Sequence, residues 1–326
     1  MEKYQVIRNG QTYLLDEILP NIIPGFSEYK FDQYYLYPSK SKNNWESFLI
    51  ERIKVHLAIS ENEIIYFFDQ NQACLIGVRF SEWDKTHFGL AIAHVTIFYH
   101  TGGYSKQSIS GILRSLMKIF QIRSVGFVSI RINGDDLDFI HAFENAGFSY
   151  FENVIWPIKM RPQELILQPD EIRLIKENEL PIVQGIASNF QYQRGHYHCE
   201  KAFDIQKVNS MYAKWVTSAW ERKENIIVIQ HDGQVAGYFI SAIDEKLSKV
   251  LGYKYGRMKS LALDGSFRGF GLGKRLFNGT CQVLFTQGAE IIDSGYSTKN
   301  HISAKLHSQS GFYSVYEEVT LHKWLR

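Results

Sequence analysis

Between an apolar run, Met258 to Leu263, and a helical pattern, Lys274 to Gln287, stands Arg268-Gly269-Phe270-Gly271-Leu272-Gly273. Apolar run, glycine-rich turn and helix start read as one strand–turn–helix unit of an α/β fold. Glycine lets the backbone take positive φ and lets a ligand approach with no Cβ in the way. The N–H groups that open the helix have no intrahelical partner, and the helix dipole adds partial positive charge among them. A pyrophosphate is the kind of ligand such a turn suits. Two familiar phosphate loops are excluded. The nucleoside-triphosphate loop ends in Gly-Lys-Ser/Thr, whereas Lys274 is followed by Arg275. The dinucleotide fingerprint G-x-G-x-x-G wants a third glycine where Leu276 stands.

The flanks narrow the reading. Leu261-Ala262-Leu263-Asp264 precede the turn; Asn300, Ala304 and Gly311-Phe312 follow it. With R-x-x-G-x-G between them, residues 170–326 resemble the GNAT superfamily of acyl-CoA N-acyltransferases. The resemblance implies a mixed, mostly antiparallel sheet flanked by helices, acyl-CoA as cosubstrate and no metal. It implies that Arg268, Gly269, Phe270, Gly271, Leu272, Gly273 and Lys274 hold the CoA pyrophosphate. Leu261 and Leu263, on a strand that splays from its neighbour, would meet the pantetheine arm, with the Leu263 N–H as oxyanion donor. Asn300 fits the position that touches the same arm and is also a good helix N-cap.

The chain of 326 residues is 45% hydrophobic and 21% charged, as a globular protein of two domains would be. A net charge of +2 argues against nucleic acid as the main partner. Cys74, Cys199 and Cys281 are odd in number and far apart, which suits reduced thiols in the cytoplasm and neither a disulfide framework nor a zinc site. The first residues show no leader pattern. No apolar run approaches the length of about 18 residues that a membrane span needs.

A proline-bearing stretch from Trp156 to Asp170 predicts a boundary, with domains 1–162 and 163–326. After it the patterns predict a strand at 172–175, helices at 179–189 and 204–220, and strands at 226–230 and 235–242 joined by His231-Asp232-Gly233-Gln234. A strand at 258–263, the turn, a helix to 287, a strand at 290–293, a helix at 300–308 and a last strand complete the order seen in the family. The first half reads as an eroded copy. Asp136 to Gly147-Phe148 repeats Asn300 to Gly311-Phe312, each followed by a strand. Its counterpart of the glycine turn, near Thr101 to Lys106, has no R-x-x-G-x-G, so this half is expected to be GNAT-like without a CoA loop. Two halves that can pair internally suit a monomer.

In the family a tyrosine seven residues after the helix-opening Asn protonates the CoA sulfur. Here that position is His307. An imidazole with pKa about 6.5 can also donate a proton. Tyr296 and Tyr313 are alternative acids. The loop Gln191 to Lys201, rich in His, Tyr and Arg, lies where the family binds its acceptor. His196, His198 and Cys199 are too tightly spaced for a usual tetrahedral zinc set.

Ser188-Asn189-Phe190, Phe203-Asp204, Met211-Tyr212, Trp215 and His322-Lys323-Trp324-Leu325 resemble bacterial TDP-fucosamine N-acetyltransferases. So does Trp83-Asp84-Lys85-Thr86-His87-Phe88-Gly89-Leu90, with His87 in place of a Phe. As a whole the chain is similar to longer transferases acting on TDP-3-amino-3,6-dideoxyhexoses. That resemblance implies transfer of acetyl or a short hydroxyacyl group to a TDP-amino sugar, for surface polysaccharide of the lipopolysaccharide O-antigen kind. Asp84, Arg194, His196 and Tyr197 are the expected acceptor residues, in a cleft between the halves. Transfer to another small amine such as an aminoglycoside, and CoA binding without catalysis, are the competing readings.

Overall fold

The computed structural model describes residues 3–11, 13–16, 18–19, 45–69, 72–101, 104–165, 170–189 and 196–325. The first stretch of chain gives β1 (Lys3–Arg8), α1 (Trp45–Leu57), β2 (Asn62–Asp69), β3 (Gln72–Ser81), α2 (Glu82–Phe88), β4 (Ile92–His100), α3 (Lys106–Ile122), β5 (Phe127–Asn133), α4 (Leu137–Asn145) and β6 (Ser149–Met160). The second gives β7 (Ile172–Leu174), α5 (Leu180–Asn189), α6 (His196–Cys199), α7 (Ile205–Glu221), β8 (Asn225–His231), β9 (Gln234–Ile243), α8 (Glu245–Leu251) and β10 (Tyr255–Leu263). It ends with α9 (Leu272–Thr286), β11 (Ile291–Asp293), β12 (Tyr296–Ser297), α10 (His301–Gln309) and β13 (Tyr313–Trp324). Among the described residues no helix is long and apolar enough to cross a membrane.

The chain forms two compact units, Met1–Val154 with Tyr316–Arg326, and Ile155–Val315. The division falls inside β6 and not at 162/163, and the end of β13 belongs to the first unit. Backbone pairing is the reason. Glu318–Trp324 of β13 lie antiparallel to Phe127–Asn133 of β5. Ile158–Met160 of β6 lie antiparallel to Ile291–Asp293 of β11. The prolines that suggested a linker include Pro157, which sits within β6.

Each unit is a mixed sheet flanked by helices. Unit 1 has the order β1-β2-β3-β4-β5-β13 and unit 2 the order β7-β8-β9-β10-β11-β6. In each the neighbours described are antiparallel except one: β4 with β5, and β10 with β11. In unit 1, α3 starts at Ser105, whose hydroxyl accepts from Ser108 N at 3.1 Å. It buries Ile109, Ile112, Leu113, Leu116, Ile119 and Phe120 at helical spacing against Val128, Ile130 and Leu321. In unit 2, α9 lays Leu276, Phe277, Cys281, Leu284 and Phe285 on Ile227, Ile229, Phe239 and Met258. Each such side chain contributes about 1.5–3 kcal/mol of transfer free energy. The Cys281 thiol, buried there, is pushed up to about 12 by desolvation and stays protonated. In the second unit α7 begins at Asp204, which accepts from Gln206 N and Lys207 N. The turn between β8 and β9 has Asp232 at φ 49° and Gly233 at φ 75°, the two-residue hairpin the sequence signals.

Candidate active site

The site begins with a fork between two strands. β10 is paired to β9 from Gly256 to Leu263, but to β11 only over Tyr255–Arg257 against Ile291–Asp293. At Lys259 the β9 register slips, with Met258 opposite Ser241 and Ser260 opposite Ile240. Such a bulge bends and twists its strand. β10 therefore runs on to Leu263 beyond the end of its ladder with β11.

The strand leads directly into the glycine turn. Asp264 caps a short 3₁₀ turn, Gly265–Phe267, by accepting from Ser266 N at 2.9 Å. Gly269 at φ +90° and Gly271 at φ +72° then take the left-handed conformation. Gly271 is the N-cap of α9 and supplies no side-chain cap. A Cβ at either glycine would meet nothing within 4 Å, so the space over the turn is open. Arg268, Phe270 and Lys274 are exposed around it, while Leu272 is buried and anchors the helix start. An open cradle of backbone N–H groups at the start of a long helix fits the pyrophosphate of CoA. The Leu263 side chain closes the cradle from the strand side: a Cβ at Gly273 would lie 3.4 Å from its Cδ1.

Of the expected catalytic residues, His307 and Tyr296 come together, with ring centroids 4.7 Å apart. His307 is 3% exposed and also packs edge-on against Phe277 and Phe312. Its Nδ1 lies 2.7 Å from the Ser303 carbonyl, which can only accept, so Nδ1 carries the proton. Burial holds the ring below the ordinary 6.5; the Ser303 and Ser294 backbone opposes this and does not overcome it. At neutral pH the ring is therefore uncharged. Nε2 then carries the lone pair and has no proton to give, and among the described residues none meets it in hydrogen-bond geometry. Asn300 is the N-cap of α10 and accepts from Ser303 N at 3.1 Å. Tyr313 is exposed at the start of β13.

Of the expected acceptor residues, Asp84 and Tyr197 are described, each within its own unit. Asp84 is 4% exposed in unit 1 and accepts from His94 Nε2 at 2.9 Å. Burial pushes its carboxyl up, but the bond and charge of His94, with Ser81 and Arg79, hold it below the usual range. This commits Asp84 to the fold of its own unit. Tyr197 is buried edge-on against Phe203, with centroids 5.5 Å apart. Arg194 and the His196 side chain lie outside the described residues. His198 Nε2 donates to Asn209 Oδ1 at 2.9 Å, and the ring stacks on Tyr212. A recess of about 660 Å³ in unit 2, lined by Glu179, Ile186, Asn189, Gln230, Gln234 and Phe267 among others, includes neither the fork nor Tyr296 and His307.

Sequence reasoning missed a charged pair at the fork. Arg257 and Asp293 face each other across the last paired rung of β10 and β11. The signal that could have found them is one charge of each sign at the end of two apolar runs expected to be neighbours.

Unit 1 holds the same fork. β4 pairs with β5 over Ile92–Val95 against Phe127–Ile130, then slips register at Thr96 and continues to His100. There His100 Nε2 lies 2.9 Å from Asp136 Oδ2, both groups buried. Phe98 packs edge-on against Phe139 and His100 lies tilted on it, at 4.7 and 4.5 Å between centroids.

Comparison with known proteins agrees with this geometry. Residues 194–312 match the Acetyltransferase (GNAT) family, a span that contains the fork, the glycine turn and α10. Among curated proteins the sequence finds no match. A GCN5-related N-acetyltransferase from Sphaerobacter thermophilus is similar over 99% of this chain and 96% of its own, at TM-score 0.62 and 12% identity. A tandem GNAT protein from the clavulanic acid biosynthesis pathway is similar over 99% of this chain and 98% of its own, at 0.58 and 11%. A GCN5-related glucosamine N-acetyltransferase region in a fungal multi-domain GH3 β-N-acetylglucosaminidase covers 99% of this chain and 38% of its own, at 0.63 and 13%. At such identities the likeness is one of fold, and it runs through both units. Residues 194–312 thus carry the match to the Acetyltransferase (GNAT) family, and the chain as a whole has the fold of two tandem GNAT-like units.

Proposed function

We propose that unit 2 transfers an acyl group, acetyl or a short hydroxyacyl, from acyl-CoA to the amine of a nucleotide-linked amino-deoxy sugar of the TDP type. The observation that carries the CoA half of this reading is the continuity of fork and open glycine turn on β10. The pyrophosphate takes the turn at Gly269–Gly273, with Arg268 and Lys274 beside it, and the arm follows β10 past Leu263 and Leu261 toward Asn300. The sugar half draws on the aromatic segments of unit 2 that resemble sugar N-acetyltransferases. It draws also on the neighbour of similar fold whose acceptor is glucosamine. The setting is the cytoplasm, the protein a monomer, and the product a building block of bacterial surface polysaccharide.

Acyl-CoA supplies an activated acyl carbon. A sugar amine with pKa about 8 is partly free at neutral pH, so it attacks without a strong base and releases its proton to solvent. As the N–C bond forms and the C–S bond breaks, backbone N–H groups of β10 face the carbonyl oxygen. The thiolate takes a proton from the Tyr296 hydroxyl, because His307 holds its own on Nδ1 against Ser303. His307 packs the Tyr296 ring in place. Arg194 and His196 are the candidates for the acceptor phosphates.

A thiol-release assay tests the reading, with acetyl-CoA and 3-hydroxybutyryl-CoA against TDP-amino sugars, glucosamine and an aminoglycoside. Fastest turnover on a TDP-amino sugar is expected. Preference for glucosamine or the aminoglycoside overturns the nucleotide part. Tyr296→Phe should lower kcat by roughly 100-fold, the effect of a lost general acid, with acyl-CoA affinity kept.

A further inference from the structure

Side chains tie the two strands of the fork at the rung where they part. Asp293 is fully buried at the end of β11. Arg257 Nε donates to its Oδ1 at 3.1 Å and Arg257 Nη2 to its Oδ2 at 2.9 Å. The Tyr255 hydroxyl donates to the same Oδ2. Arg257 Nη2 also donates to the Tyr255 oxygen at 2.9 Å. Trp156 of β6 backs the guanidinium, its ring centre 5.2 Å from Cζ. The same indole presses on Gly295, where a Cβ would lie 2.9 Å from Cζ3.

A planar guanidinium held by two bonds to one carboxylate fixes an angle as well as a distance. Buried ion pairs add little stability over apolar pairs of like volume; their attested use is to select one geometry. Unit 1 supplies the contrast. Its equivalent rung is His94 opposite Ser129, and His94 turns to Asp84 on α2, not across to β5. The cross-strand clamp is thus found in the unit with the open glycine turn.

We propose that Asp293, acting through Arg257 and Tyr255, is a positioning residue that sets where β10 leaves β11. It thereby places the Met258–Leu263 backbone against the pantetheine arm and thioester of acyl-CoA. The proposal rests on the reading of unit 2 as the CoA-binding unit.

Calorimetry on the full chain tests it with two ligands: acetyl-CoA, and 3′-phosphoadenosine 5′-diphosphate, which has the nucleotide and pyrophosphate but no arm. Asp293→Asn should bring the affinity for acetyl-CoA down toward that of the fragment and leave the fragment unchanged. The same variant should lose roughly 10- to 100-fold in kcat/KM, the scale of an ångström of misplacement. Because loss of a buried carboxylate can unfold the unit, Arg257→Met with Asp293→Leu keeps packing without charge. A thermal melt shows which variants are folded. In a folded variant, a wild-type ratio of the two affinities overturns the proposal. So does an equal loss of both ligands, which would make the clamp a general support of the turn. If the wild-type chain binds neither ligand, the CoA reading itself fails and the proposal falls with it.

Discussion

In unit 2 β10 bulges at Lys259 and Leu261 and Leu263 follow at two and four residues; in unit 1 β4 bulges at Thr96 and Phe98 and His100 hold those places. Across the fork, the N-cap of α10 is Asn300 and the N-cap of α4 is Asp136. Asn300 caps its own helix. Asp136 makes no side-chain cap and accepts from His100 instead. Three residues on, Ser303 in one unit is Phe139 in the other, packed against Phe98 and His100. The backbone plan is shared, and side chains decide the use. In unit 1 the space beside β4 is filled by rings and closed by a hydrogen bond from strand to helix. In unit 2 small and aliphatic residues leave the strand accessible beside an open turn.

The comparison can be broken most forcefully at the closure of unit 1. His100→Ala removes the donor from a buried carboxylate and a ring from the cluster with Phe98 and Phe139. It should destabilise the protein by about 3–5 kcal/mol, as loss of one partner of a buried pair does. Affinity for acetyl-CoA in the folded fraction should not change. A melt near the wild-type temperature, or CoA binding acquired by unit 1, would show the closure to be incidental.

Acid should separate the units next. Burial holds His56 in unit 1 down to about 4, with its Nε2 donating to the Glu63 carbonyl. Its unfolded value is about 6.5, so the unfolded chain binds more protons between the two values, and stability present above 6.5 is lost as pH falls toward 4. The loss approaches about 3 kcal/mol at the lower end. The lowered values of His94 and Asp84 act in the same direction. His56→Gln, which keeps a donor and an acceptor, should flatten the melting temperature between pH 7 and pH 5; an unaltered slope would assign it elsewhere.

Gly271→Val is the complementary test in unit 2. A β-branched residue at φ +72° is strained by about 1–3 kcal/mol and puts methyls into the cradle. Acetyl-CoA affinity should fall about 10- to 100-fold, with the pH response of unit 1 intact. Unchanged affinity in a folded variant would sink the assignment of the turn. The smallest effect is expected at His307→Phe. It replaces an uncharged ring with another and should shift stability by no more than about 1 kcal/mol, with kcat near wild type. A fall of about 100-fold in kcat would return the proton to His307.

Local signals are legible in the sequence. The α7 and α9 helices show in caps and spacing, the β8–β9 hairpin in Asp232-Gly233, the glycine turn in its own composition. The short α8, seven residues between Asp244 and Gly252, is too brief to show a period. What escaped depends on pairing across long sequence separation. The break inside β6 follows from β6 meeting β11, not from Pro157. The clamp of Arg257 and Asp293 needs the register of β10 with β11. The place of His307 in the helix was legible; its tautomer was not, because that depends on the Ser303 carbonyl and on the rings that bury it.

The return of β13 to unit 1 has a consequence for biosynthesis. Glu318–Trp324 leave the ribosome after every residue of unit 2 has been made. Unit 2 is one continuous segment and can close during translation, as domains usually do in chain order. Unit 1 begins first and is completed last, and until then β5 stands as an uncovered edge. A row of unpaired N–H and C=O groups of that kind recruits stray strands, so the nascent chain is most exposed to mispairing in the seconds before β13 arrives.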